Sequence, residues 1–301
     1  MNVLHTPADS GPSAAVRLIG IGQAGRHFVQ RFHTHIDTPH HTPLADLLKQ
    51  QPVFIEADEN HEAKGAPDSD AVLSASQVDL TDTCILCLAF GVDVKPAEIE
   101  AAMCLIWRMW DQDAHVIGIA LGAHNHPPPH ADSMLGILCD SIDARIDIAD
   151  ANAPAELAPL QWFYVALQRS VLAGLSILEA AWDHSDVVET LDFGQVQLEL
   201  FTQALDEPAQ LDAAMVQVLE EFRHRGVWLE QAPGAVLVLW APSEYQLTVR
   251  VMRGLGRSLG EALGEGALHL TIRLRSRPGS DDQTAYLTVA VSTPRTRSDS
   301  L

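Results

Sequence analysis

The sequence predicts an α/β fold built on a mostly parallel, doubly wound sheet, and three observations carry that expectation. Apolar runs alternate with amphipathic stretches through the first half: VRLIGI (16–21), then a helix at 23–34; PVFIEAD (52–58); DTCILCLAF (82–90), then a helix at 95–111; HVIGIAL (115–121). Strands that alternate with helices pair in parallel. Next, Gly20, Gly22 and Gly25 set G-x-G-x-x-G between the first strand and the first helix. Glycines there permit φ > 0 and close backbone approach, and the helix N-terminus turns free N–H groups toward a phosphate. Finally, APLQWFYVALQRSVLAGLSILEAAW (158–182) is apolar nearly all round. A helix of that kind is buried on most sides and would join two halves of a molecule.

The remaining elements follow from local pattern. HADSMLGILCDSI (130–142) predicts a helix and ARIDIA a strand behind it. Helical segments are expected near 195–205 and 209–224, a strand at GAVLVLW (234–240) and a helix at 243–262. ALHLTIRLRS (267–276) and TAYLTVAVST (284–293) alternate apolar and polar residues and are joined by the turn-rich RPGSDDQ, which predicts a hairpin. The expected organisation is a disordered leader (1–15), a nucleotide-type domain (16–157), a central helix (158–183), a C-terminal domain (184–294) and a tail (295–301).

Bulk properties narrow the function classes. The chain has 301 residues, 47% hydrophobic composition and a formal charge of −21. That surface repels a phosphate backbone, so nucleic acid is not an expected partner. No run of apolar residues is long enough for a membrane span, and the N-terminus lacks signal-peptide regions. A cytoplasmic location is expected. CILC (84–87) lies inside an apolar strand with no second pair, so Cys84 and Cys87 read as packing residues.

The glycine turn alone fits two nucleotides. With Glu56 or Asp58 after the second strand it matches a dinucleotide-binding domain, which would take NAD(P) through Gly22, Gly25 and Glu56. The rest of the chain resembles the tubulin/FtsZ superfamily. VRLIGIGQAGRHFVQRF is similar to that family's first loop and helix, with Gly-Gln-Ala-Gly closer to the tubulin form. VVETLDFGQVQLEL (187–200), straight after the long helix, resembles the family's catalytic loop, Asn-x-Asp-x-x-Asp. The resemblance covers about residues 15–294. It implies a GTPase-like domain, a central helix and a smaller second domain, with GTP or GDP as ligand and Mg²⁺ only alongside a bound nucleotide. The implied nucleotide-binding residues are Gly20, Gly22, Gln23, Ala24, Gly25, Arg26, His27, Glu56, Gly91, Asn152, Phe163 and Ser170. The implied catalytic residues are Asp192 and Gln195.

The chain departs from that family where phosphate chemistry is done. The family's all-glycine and threonine phosphate loop is matched by GVDVKPAEIEAA (91–102), which keeps only Gly91 and puts Asp93 where the phosphates should lie. A carboxylate beside a triphosphate is unfavourable unless Mg²⁺ bridges them. In the catalytic loop, Thr190 stands at the Asn, Asp192 at the first acid and Gln195 at the second. A glutamine can orient water but cannot accept its proton. Very slow or absent hydrolysis is therefore expected, in a protein acting by self-association or by modulating a related filament. The alternative is an active GTPase with a rebuilt phosphate loop that uses Lys95 and the helix start after Pro96.

The other constellations read as ordinary structure. The histidines of HFVQRFHTHIDTPHH and AHNHPPPH lack the spacing of a known metal site. Trp107 and Trp110, at i, i+3, are expected in the core. Gly254, Gly256, Gly260 and Gly264 weaken the helix at 243–262, as close packing or a mobile element would require.

Overall fold

The computed structural model describes residues 15–36, 53–55, 78–122, 133–173, 184–205, 207, 210–242, 248–275 and 284–295. The strands are β1 (Ala15–Ile21), β2 (Val53–Ile55), β3 (Thr83–Gly91), β4 (His115–Leu121), β5 (Ala144–Ile148), β6 (Val196–Leu205), β7 (Gly234–Ala241), β8 (Leu268–Arg275) and β9 (Ala285–Pro294). They form one nine-stranded sheet in the order β2-β1-β3-β4-β5-β6-β9-β7-β8. Pairing is parallel from β2 to β6 and between β7 and β8, while β9 runs antiparallel to both neighbours. The helices are α1 (Gly22–Ile36), α2 (Pro96–Trp110), α3 (Met134–Asp140), α4 (Pro154–Ala173), α5 (His184–Leu191), α6 (Leu211–His224) and α7 (Val249–Ala262). No helix among the described residues is long and apolar enough to cross a membrane.

One face of the sheet carries a core shared by α1, α4 and α5. Helix α4 is the bridge, as its all-round apolar pattern requires. Its Gln168 Nε2 donates to the Val16 carbonyl of β1 at 2.6 Å, and the Tyr164 hydroxyl donates to the same oxygen at 3.3 Å. Its Trp162 stacks on Tyr286 of β9, with centroids 4.6 Å apart, and lies against Trp240 of β7 at 5.1 Å. Such aromatic pairs add about 0.5–1.5 kcal/mol each beyond area burial.

The other face is covered in two separate patches. Helices α2 and α3 cover β1, β3 and β4, and α6 and α7 cover β7 and β9. Between the patches, β5 and β6 present Arg145, Asp147, Gln197 and Glu199, all half-buried. Their alternation with Ala144, Ile146, Val196 and Leu198, which face the α4 side, fixes this polar stripe.

Several expectations are corrected. The segment expected as a helix at 195–205 instead forms β6 from Val196, with Gln195 in the turn before it, because the period-2 order of Val196, Leu198 and Leu200 outweighs the helix-forming Gln and Leu content. β8 and β9 are not a hairpin: β7 lies between them, parallel to β8 through the crossover helix α7. Trp107 and Trp110 are 54% and 44% exposed rather than core, since the buried stripe of α2 runs through Ile99, Ala102, Leu105, Ile106 and Met109. The α7 glycines have a packing cause in part. A Cβ on Gly260 would lie 2.8 Å from His269 Cε1, and one on Gly256 2.9 Å from Thr271 Oγ1. The leader, the proline-rich histidine loop, His40 and His41 lie outside the described residues.

Candidate functional site

The parallel strands β1 and β3 end side by side, and the turns leaving them open one cleft of about 460 Å³. Gly20 and Gly25 create it by letting α1 approach the sheet. A Cβ on Gly25 would stand 2.2 Å from the Ala89 carbonyl, and one on Gly20 2.5 Å from the Gly25 carbonyl. Gly22 turns with φ +67°, a conformation glycine adopts without steric cost. Gly22, Gln23, Ala24, Arg26 and His27 line one wall, and Gly91, Asp93, Val94, Lys95 and Glu98 the other.

The second wall decides what the cleft can hold. Pro96 is the first residue of α2, and Glu98 at its third position returns to cap the helix. The Lys95 backbone N–H donates to Glu98 Oε2 at 2.8 Å. The Glu98 side chain is buried, and the same oxygen lies 2.7 Å from where a Cβ on Gly22 would be. An anionic group of the chain itself thus sits between the start of α1 and the start of α2. Asp93 folds over Gly91, its Oδ1 2.5 Å from where a Cβ there would be. A phosphate placed here would share the cleft with two carboxylates, Asp93 and Glu98, and with Arg26 and Lys95. Sequence reasoning found Asp93 and missed Glu98. Its signal was legible as Lys-Pro-Ala-Glu (95–98), a helix start with Pro at the first turn and Glu at the third position.

The residues expected to read a base are elsewhere. Phe163 and Ser170 are 1% and 0% exposed, and the Ser170 hydroxyl donates to the Leu167 carbonyl at 2.7 Å. Both belong to the packed interior of α4, because that helix is buried against the sheet at these positions. Asn152 is exposed in the turn before α4, its backbone N–H donating to Asp150 Oδ1 at 2.8 Å. Glu56 lies outside the described residues. The described cleft thus carries Asp93 and Glu98 together with Arg26 and Lys95, while Phe163 and Ser170 are buried in the interior.

Asp192 and Gln195 occupy the opposite end of the sheet, in the turn that enters β6 beside the start of β5. Both have positive φ, +51° and +67°. The Gln195 backbone N–H donates to the Asp143 carbonyl at 2.7 Å, and its side-chain Nε2 donates to the Asp140 carbonyl at 3.2 Å. The glutamine thus fastens the turn to the end of α3. Nearby, the Asp143 carboxylate accepts the Val116 N–H at 2.7 Å. Burial pushes its pKa up, against the pull of that hydrogen bond and of His115 and Arg295.

One end of the sheet carries a glycine-turn cleft and the other an acid-bearing turn, and the chain shares a tubulin/FtsZ-like fold with solved structures. No family model and no curated protein matches the chain. Solved structures do. The chain is similar to an empty FtsZ dimer from M. jannaschii, with TM-score 0.60 and 13% identity over 93% of this chain and 88% of that one. It is also similar to GDP-bound CetZ1 from Haloferax volcanii, with TM-score 0.56 and 13% identity over 94% and 95% of the two chains. A GTPγS-bound CetZ2 protofilament from the same organism matches with TM-score 0.53 and 16% identity over 95% and 94%. At these identities the likeness establishes the fold.

Proposed function

We propose that this chain is a cytoskeletal-type protein of tubulin/FtsZ-like fold that has lost efficient GTP binding and hydrolysis. It acts through protein contacts, by self-association or by modulating a related filament. The observation that carries the reading is Glu98, held at the shared entrance of α1 and α2 with Asp93 beside it. A phosphate there would face like charge at close range, worth roughly 4 kcal/mol per unit charge at ~4 Å with an effective dielectric of ~20. Gln195 supports the same reading, since its side chain is engaged with Asp140 rather than presented as an acid. The solved neighbours include a dimer and a protofilament, which supports assembly as the retained activity.

The test is sedimentation and light scattering of the purified protein, alone and mixed with a related filament protein, with and without GTP. Association, or altered polymer mass of the partner, that is indifferent to GTP is the expected result. A strict monomer without effect on the partner would sink the proposal. A second reading, an active GTPase with a rebuilt phosphate loop, has Lys95 on the cleft wall in its favour and requires phosphate release above a no-protein control.

A further inference from the structure

The polar stripe on β5 and β6 is anomalous. Strands at the middle of a nine-stranded sheet are normally apolar on both faces, yet here one face is charged and, among the described residues, lies between two helical patches without a helix over it. The stripe is the floor of a second cleft, of about 510 Å³. That volume falls in the range of binding sites, ~300–1,000 Å³. Pairing of Val196 with both Ala144 and Pro294 places it toward the end of the sheet opposite the glycine turn.

Three guanidiniums converge on it in a chain whose net charge is −21. Arg145 pairs with Asp147 at 2.6 Å, and Arg225 pairs with Glu221 at 2.7 Å while lying over the Phe201 ring. Arg295 donates only to backbone carbonyls, those of Val196, Cys139 and Ile142. Three of its five N–H bonds are thereby used. Burial, and then the like charge of Arg145, hold its pKa below the ordinary value. An added anion would offset the like charge of Arg145. On the rim, Trp228 is 67% exposed, a large apolar ring with little to pack on.

We propose that this cleft is the docking site for an acidic peptide segment of a partner protein, with carboxylates on the arginines and an aromatic or apolar side chain on Trp228. The choice of a peptide over a phosphate compound follows from the mixed lining. Asp147 and Glu199 put negative charge into the same lining, which disfavours a compact, highly charged phosphate more than a peptide, whose carboxylates are spaced along a neutral backbone and can reach the guanidiniums separately. The inference rests on the reading that the chain works through protein contacts, and gives that reading a surface and a partner chemistry.

The experiment uses the full chain and fluorescein-labelled pentapeptides, Glu-Asp-Phe-Glu-Asp with its Phe→Ala and all-Lys counterparts, followed by anisotropy. Saturable binding of the first peptide is expected, weakened about tenfold by Trp228→Ala or by removal of the Phe. Arg225→Gln should weaken it similarly, and Arg225→Glu should abolish it while admitting the lysine peptide. Both positions are exposed, and unchanged thermal unfolding confirms that the variants fold. No saturation below 1 mM in peptide, equal binding by the lysine peptide, or indifference to both substitutions would overturn the proposal. Inorganic phosphate competing as well as the peptide would also overturn it, by showing a generic anion site. A chain that associates in sedimentation yet ignores these peptides refutes this inference and leaves the functional reading intact. Peptide binding by a strict monomer inert toward the filament protein does the reverse.

Discussion

If Glu98 is a resident anion, removing it should create a vacancy that a soluble anion can fill. Glu98→Ala deletes the acceptor of the Lys95 N–H and empties the space beside Gly22. Loss of a hydrogen bond to a charged group costs roughly 1.5–3 kcal/mol. At about 2–4 °C per kcal/mol for a chain of this order of size, Tm falls by about 5 °C. An oxyanion at ~100 times its Kd then returns about 2.7 kcal/mol. In the wild type the same anion meets the carboxylate, and a repulsion of roughly 4 kcal/mol corresponds to about a thousandfold in affinity. Glu98→Gln separates charge from shape, since it keeps an acceptor for the N–H and drops the negative charge. The assay is thermal unfolding in rising phosphate at constant ionic strength, reading the variant minus the wild type. The subtraction removes the general stabilisation that such salts give every protein. Glu98→Ala should be the least stable without phosphate and gain the most, with Glu98→Gln little destabilised. Three parallel responses would refute the reasoning, because the carboxylate would then be an ordinary helix cap.

Three further outcomes are expected. Gly25→Ala pushes a methyl to 2.2 Å from the Ala89 carbonyl and should destabilise by at least ~1–3 kcal/mol; an unchanged denaturation midpoint would contradict the packing described. Gln195→Glu faces a carboxylate toward the Asp140 carbonyl that Gln195 Nε2 now serves and should cost about 1–2 kcal/mol without conferring GTP hydrolysis, as unfolding and phosphate-release assays would check. Asp143 has a raised native pKa, so the folded state holds its proton more tightly than the unfolded chain does. It therefore favours folding at low pH and costs stability once pH exceeds the native value. Asp143→Asn keeps an acceptor for the Val116 N–H, so its Tm should exceed wild type at pH 7, with the gap closing as pH falls through the native pKa toward the usual carboxylate value; a constant gap would contradict the burial argument.

The first half of the fold was legible because its signals are local and redundant. There β1, β3 and β4 are each a short apolar run followed by a helix, and the glycine turn fixes where the first helix begins. The all-round apolar character of α4 likewise announced its burial on both flanks. What failed depends on non-local pairing. VQLEL in β6 carries helix-forming residues in a period-2 order, and only the neighbouring strands decide between the two. The insertion of β7 between β8 and β9 is a choice of partners that two alternating strands and a turn cannot encode. The site was half legible. Asp93 and Gly91 were visible because the one replaces and the other retains part of a known pattern. Glu98 was not, because a capping glutamate reads as helix chemistry until the glycine turn of another element is placed against it. The burial of Phe163 and Ser170 has the converse reason: a helix buried on most sides packs its aromatic and hydroxyl side chains into the interior.

The most direct test of the central claim is the guanine nucleotide content and affinity of the purified protein. The protein is denatured, any released nucleotide is identified, and the nucleotide-free chain is titrated with GTP and GDP in the presence of Mg²⁺, with NAD as a parallel arm. A phosphate seat filled by Glu98 predicts no released nucleotide and no saturation at micromolar concentrations. GTP or GDP carried through purification, or bound at micromolar affinity with Glu98 intact, would contradict it and return the chain to the active GTPases.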